Sequence, residues 1–248
     1  MNGRPRLLDL FCGGGGAAVG YHRAGFDVVG VDIALKKLPD GSWADDKAMP
    51  AAYPFQFIKA DVFDFLDKLA DDANEPHWGW LLGDFDAIHA SPPCQDHSVL
   101  GVTTKQTHGT GWMLGATRDR LQELGQPWVI ENVPPAPMRP DFKLCGCMFG
   151  LADSSGRQLY RERWFETSWH AFDLRAPCHH AGRPITVAGH GAQGGWEYVD
   201  GVAPTQEDRK RAMGIDWMNR DHLGQAIPPA FTEVVGASLL EHLSEAAA

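Results

Sequence analysis

The sequence predicts an α/β fold of nucleotide-binding type with one small irregular insert, on three observations. An apolar strand, Leu8-Asp9-Leu10-Phe11, runs through Cys12 into four glycines, Gly13 to Gly16, and then into a helical pattern. Short apolar runs recur at 28–31, 55–60, 85–90 and 128–130, with helical or loop patterns between them. From Ser168 to Ala203 the alternation breaks down into Gly, His, Pro and Trp.

Taken in order, the helix after the glycines carries Ala17, Ala18, Val19, Tyr21 and Ala24. Glycine permits the tight turn and the close approach of a ligand to backbone N–H groups. The second strand, Val28 to Val31, ends in Asp32, a place where an acid commonly binds the ribose hydroxyls of an adenosine cofactor. The third, Phe55 to Ala60, ends in Asp61. The same pattern also fits an ordinary α/β turn with solvated acids. A helix follows, with Asp64, Asp67, Asp71 and Asp72 facing water and Phe63, Leu66, Leu69 and Ala70 behind.

The strand over Phe85–Ala90 leads into Ser91-Pro92-Pro93-Cys94-Gln95. Two prolines stiffen the backbone just before a thiol, which suits a nucleophile held at a strand edge. It equally suits a buried structural cysteine. The apolar strand Trp128-Val129-Ile130 ends at Glu131. Alternation puts Arg161 and Arg163 on one face and Tyr160 and Glu162 on the other. Thr205-Gln206-Glu207-Asp208 is a capping sequence before 209–214, and Pro229–Leu243 is a closing helix.

The 248 residues suffice for one catalytic domain, and no apolar run is long enough to span a bilayer. The N-terminus leads directly into the first strand without a signal-peptide core, so a cytoplasmic protein is expected. Five cysteines do not make a disulfide framework in a chain of this size. The net charge of −10 disfavours strong nonspecific binding to nucleic acid. Yet the stretch Asp61–Asp86 alone carries −7, leaving −3 for the rest, so the acidity can sit away from a binding cleft.

The series Asp9-Leu10-Phe11-Cys12-Gly13-Gly14-Gly15-Gly16, Asp32, Asp61, Pro92-Pro93-Cys94-Gln95, Glu131-Asn132-Val133, Arg161-Glu162-Arg163 and Gly224-Gln225-Ala226-Ile227-Pro228-Pro229 resembles the ordered motifs of the DNA cytosine-5 methyltransferases. The resemblance spans about residues 6–236, and Leu144–Gly150 with Phe165-Glu166-Thr167 is most similar to compact phage-encoded members. It implies a Rossmann-like S-adenosylmethionine-dependent methyltransferase sheet with helices on both faces. Residues 1–167 and 204–248 would form the catalytic domain, and 168–203 a short target-recognition insert.

The resemblance also implies roles. Cys94 would add to C6 of a cytosine flipped out of double-stranded DNA, and Glu131 would hold or protonate N3. Asn132 would hold the local backbone. Arg163 would bind O2, and Arg161 would support the nucleophile's loop or a phosphate. S-adenosylmethionine would be held by Phe11, Gly13, Gly15, Asp32, Asp61 and Pro92, and DNA by Gln95, Ser98, Arg175, Arg183, His190 and Gln193. Residues 96–115 would close over the DNA, and the protein would act as a monomer, in a host cytoplasm if phage-encoded. So short an insert points to a recognition sequence of about two to four base pairs.

Two positions depart from the family pattern. Leu159 stands where a glutamine is usual, with Gln158 one place early, and Gln225 replaces an asparagine. An RNA cytosine-5 methyltransferase and a catalytically silent DNA-binding homologue are the alternatives. Cys145, Cys147, Cys178, His179 and His180 raise a zinc reading. The Cys145-Gly146-Cys147 spacing is closer than the usual C-x₂₋₄-C pair and the residues fall in differently patterned segments, so no metal is expected.

Overall fold

The computed structural model describes residues 3–33, 35–37, 43–45, 53–71, 76, 78–93, 109–169, 171–187 and 202–246. Its strands are β1 (Arg6–Leu10), β2 (Asp27–Asp32), β3 (Leu35–Lys37), β4 (Trp43–Asp45), β5 (Gln56–Lys59), β6 (Ala87–Ala90), β7 (Trp128–Asn132), β8 (Phe142–Cys145), β9 (Gln158–Leu159), β10 (Glu162–Thr167) and β11 (Pro184–Ile185). Its helices are α1 (Gly16–Ala24), α2 (Val62–Asp71), α3 (Met113–Leu124), α4 (Gln206–Met213), α5 (Arg220–Gln225) and α6 (Pro229–Ala246).

Seven strands form one sheet in the order β5-β2-β1-β6-β7-β10-β8. The first five are parallel, and β10 runs antiparallel between β7 and β8. The chain starts in the middle at β1, moves out through β2 to β5, then crosses back to β6. That reversal puts the topological switch point at the carboxyl ends of β1 and β6, where open α/β sheets bind their ligands.

Period-two alternation sends each strand's side chains to two cores. Leu7, Val28, Ala87 and Val129 pack with Tyr21 of α1 and with Phe231, Val235 and Leu239 of α6. Leu8, Leu10, Val29, Val31, Ile88 and Ile130 pack with Phe65, Leu66 and Leu69 of α2 and with Leu114 and Leu121 of α3. Helices therefore cover both faces. On α2 it is Phe65 that is buried, while Ala70 is exposed and Phe63 turns toward Phe11, correcting the expected inner face.

A third, smaller core joins Leu159, Ile185, Val187, Ala212, Met213, Ile215, Met218 and Leu223. The segment around Ile185 and Val187 thus packs against α4 and α5, and β11 pairs in parallel with β9. The chain then closes on itself. The Thr232 hydroxyl donates to the Ala17 carbonyl, and Trp217 Nε1 donates to the Gly14 carbonyl.

One polar line crosses the apolar layer under α1. Asp9 and His89 are wholly buried, with Nε2 of His89 3.9 Å from Asp9 Oδ1 and Nδ1 2.9 Å from the Tyr21 hydroxyl. Burial pushes the His89 imidazole down to about 3, and burial, with Asp32 adding to it, pushes the Asp9 carboxyl well up. Asp9 adds stability below its ordinary value of 3.8 that is lost as pH rises through its raised one. His89 works the other way. It stays neutral in the fold while the unfolded chain takes up a proton below 6.5, so its contribution is present above 6.5 and lost as pH falls toward 3. Between pH 7.5 and 5 the native chain is expected to lose about 2 kcal/mol of urea-measured stability relative to His89→Asn. A pH-independent difference between the two would mean that His89 takes up its proton in the folded state.

The cysteine reading is corrected by the same topology. Antiparallel pairing of β8 with β10 and the return of the loop after β10 gather Cys145, Cys147, Cys178 and His180 into one cluster. They are not separate core and surface residues.

Candidate active site

The carboxyl edge of β1 and β6 is stitched together before any side chain is considered. The Ser91 N–H donates to the Leu10 carbonyl and its hydroxyl to the Phe11 carbonyl. Phe11 is held at φ +56, a conformation a non-glycine residue adopts at a cost of order 1 kcal/mol. The turn that follows brings the Gly13 N–H 2.9 Å from Asp32 Oδ2, linking the ends of β1 and β2. A side chain at Gly13 would meet nothing within 4 Å, so this glycine leaves the turn open to a ligand. At Gly15 a Cβ would lie 3.0 Å from Pro54 and 3.1 Å from Tyr53, so packing there requires glycine.

Asp61 has a structural duty. Its Oδ1 accepts from the N–H groups of Phe63 and Asp64, capping α2. It also borders a cavity of about 630 Å³ with Phe63, Trp112 and Arg120. Phe63 stacks on Trp112 at 5.3 Å and meets Phe11 edge-on at 6.1 Å. Ile33, directly after Asp32, is a large apolar side chain left 41% exposed. Sequence reasoning passed over Ile33 and Trp112 and assigned Phe63 to the core. The available signals were an apolar residue directly after a strand-end acid (Ile33) and an aromatic just ahead of a helix (Trp112).

Pro92 is buried, and its carbonyl accepts from Nδ2 of buried Asn132 at 3.2 Å. Asn132 Oδ1 in turn accepts from the Val133 N–H. Asn132 thus ties the proline segment to the end of β7. Cys94, Gln95, Ser98, His190 and Gln193 lie outside the described residues, as does most of 96–115.

Glu131, 6% exposed, stands opposite Phe165 in the β7–β10 ladder. Arg163 is two residues before Phe165 in β10, on the same face and at the diagonal position long side chains can span. Its Nε lies 2.9 Å from Glu131 Oε1. The N–H is not aimed at that oxygen, so the contact is an ion pair rather than a formed hydrogen bond. Burial pushes the Glu131 carboxyl above the ordinary glutamate value, with Arg163 and then Arg161 pulling against it. A carboxyl so placed can keep or give a proton nearer neutral pH than a solvated one.

Arg161 is buried and faces inward. It donates to the carbonyls of Val187, Gly224 and Ala226 at 2.5–3.1 Å. These contacts commit its guanidinium to the backbone at Val187 and at the end of α5, with its charge felt at Glu131. Leu159, fully buried in the third core, supplies apolar packing where the family pattern has an amide, and Gln158 Oε1 accepts from the Gly182 N–H. Gln225 is exposed at the end of α5.

Of the expected DNA-facing residues, Arg175 is folded back. Its Nε is 3.1 Å from Asp173, and its guanidinium lies 5.6 Å over Phe149. Arg183 is exposed beside β9.

Residues 5–136 match the family described as C-5 cytosine-specific DNA methylase. The chain belongs to this family. A stretch of 100 residues, 40% of the chain, is 34% identical to the Type II methyltransferase M.XorII of Xanthomonas oryzae pv. oryzae, of which it spans only 21%. The methylase also aligns over 99% of both chains with the Entamoeba histolytica methyltransferase EhMeth, at 12% identity and TM-score 0.48. It aligns over 73% of its length with 54% of Spodoptera frugiperda DNMT2, at 18% identity and TM-score 0.38.

The cofactor of this methylase is S-adenosylmethionine, and the residues fit it. The open face of Gly13, the Asp32 carboxylate and the exposed apolar Ile33 sit together at the switch point, beside Phe11. Among the described helices none is long and apolar enough to cross a membrane.

Proposed function

We propose that the chain methylates C5 of cytosine in double-stranded DNA through a transient covalent bond between Cys94 and C6. The observation that carries this is the buried Glu131–Arg163 pair, beside a proline segment that Asn132 fastens and that Cys94 follows in the chain. A cytosine facing the pair would meet an acid of raised pKa for N3 and a cation for O2. Addition of the Cys94 thiolate at C6 then converts the ring to an enamine-like species that is nucleophilic at C5. Asp32 would bind ribose hydroxyls, Gly13 would admit the cofactor to the backbone, and Phe11, Ile33 and Pro92 would supply apolar contact. Bound S-adenosylmethionine supplies an electrophilic methyl sulfonium. Loss of the C5 proton and departure of the thiolate complete the reaction. A base inside a duplex is out of reach of any such site, so the target is flipped out.

Duplex DNA carrying 5-fluorocytosine should give a cofactor-dependent adduct that survives SDS, and Cys94→Ser should give none. Tritium transferred to normal DNA should appear in 5-methylcytosine. Label in N4-methylcytosine or N6-methyladenine would overturn the reaction, and an adduct persisting in Cys94→Ser would overturn the nucleophile. Preferential labelling of tRNA in an equimolar competition would overturn DNA as the substrate.

A further inference from the structure

Away from the switch point, four metal-ligating side chains converge at the far edge of the sheet. Cys147 and Cys178 have their sulfurs 2.9 Å apart. His180 Nε2 lies 2.9 Å from Cys178 Sγ and 3.3 Å from Cys145 Sγ. All four ligand atoms lie within 4.8 Å of one another. We propose that Cys145, Cys147, Cys178 and His180 bind one zinc ion, a structural site that fastens the loop after β10 to the end of β8.

The donor set and its size both point to this metal. Three thiolates and one imidazole make a closed tetrahedral set of the kind that favours zinc and leaves no open position for chemistry. Metal–ligand bonds of about 2.3 Å to sulfur and 2.1 Å to nitrogen put neighbouring ligands about 3.6–3.8 Å apart. The four atoms already occupy that volume, with three pairs slightly inside it. Zinc would open those pairs by less than about 1 Å and take the protons from three thiols. A lone disulfide would need only Cys147 and Cys178, and would leave a third thiol and an imidazole crowded against it without purpose.

The local backbone explains how so short a spacing can serve. Cys145 closes β8 in extended conformation, and a 3₁₀ turn over Gly146–Phe149 begins immediately after it. A Cβ on Gly146 would run into the Leu159 carbonyl, so the turn passes too close to β9 for any other residue. On the other side, the Tyr160 ring stacks on His180 at 3.8 Å, nearly parallel. The Tyr160 hydroxyl donates to the Gly182 carbonyl. The second pair of ligands is therefore held in place by the residue next to Arg161. Glu162 pairs with Cys145 across β10 and β8, so the site is one strand position from the segment that carries Arg163.

Protein prepared without chelators should carry one zinc per chain by native mass spectrometry and elemental analysis. Replacement by cobalt(II) should give the strong sulfur-to-metal charge-transfer and visible d–d bands of a tetrahedral S₃N site. His180→Cys should keep the 1:1 stoichiometry and shift those bands toward an S₄ pattern, which a misfolded variant could not do. Cys178→Ser and His180→Ala should weaken zinc binding at least tenfold. Three results would overturn the site. One is native protein that lacks zinc and gives no cobalt spectrum. Another is a Cys147–Cys178 disulfide found by non-reducing peptide mapping of metal-free native protein. The last is full zinc occupancy retained when Cys178 and His180 are both replaced.

Discussion

Glu131→Gln is expected to lower the methylation rate 10²- to 10⁴-fold, the range for losing a positioned proton donor. The amide keeps the side chain's shape and can still offer an N–H, but it cannot give a proton, and it leaves Arg163 beside a neutral neighbour. S-adenosylmethionine affinity should change little, because Gly13, Asp32 and Ile33 lie at the ends of other strands. The covalent 5-fluorocytosine adduct should form more slowly by a similar factor. Single-turnover kinetics and cofactor titration separate the two. A variant within threefold of the native rate would remove Glu131 from the chemistry.

The second large effect is on folding. Gly20→Ala would place a methyl group into the Thr232 hydroxyl and the Pro229 carbonyl and 2.8 Å from the Glu233 N–H. Alanine in a helix is normally favoured over glycine by about 1 kcal/mol. Here the overlap is with backbone of α6, which cannot rotate away, and overpacking of this kind costs about 3 kcal/mol or more. For a domain of this size that is a fall in Tm of about 6–12 °C, read by calorimetry. Thr232→Ala in the same chain should restore little, because the carbonyl and amide remain. A Gly20→Ala protein that melts with the native one would show that α1 and α6 can separate freely.

The parts of this fold that were legible in the sequence are those governed by local period. The strand–glycine–helix unit, the apolar strand before Glu131 and the cap at Thr205 could be read because each is decided by residues a few positions apart. Asp32 and Asp61 could be placed at strand ends for the same reason, but not their contacts. That Asp61 spends one oxygen capping α2 depends on where the helix begins. Phe63, three residues before Leu66, fitted the inner stripe, but Phe65, four before Leu69, fills the core, and only the position of Trp112 shows where Phe63 turns. Arg161 was a charge beside a charge in sequence, and its inward turn depends on carbonyls 26 to 65 residues away. The cysteines and histidines could be singled out in the sequence but not brought together, because Cys147 and Cys178 lie 31 residues apart and meet only through the β8–β10 ladder and the loop's return.

Arg157 and Arg161, four residues apart and both buried, hold the carbonyls of Val202 and Val187 respectively. Asp153 and the helix-capping Asp208 hold Arg157 in turn. The chain is therefore moored on either side of residues 188–201 by side chains that belong to the frame and not to that stretch. Arg161→Leu would therefore leave the Val187, Gly224 and Ala226 carbonyls to find other donors, at about 1–3 kcal/mol for each that stays buried without one.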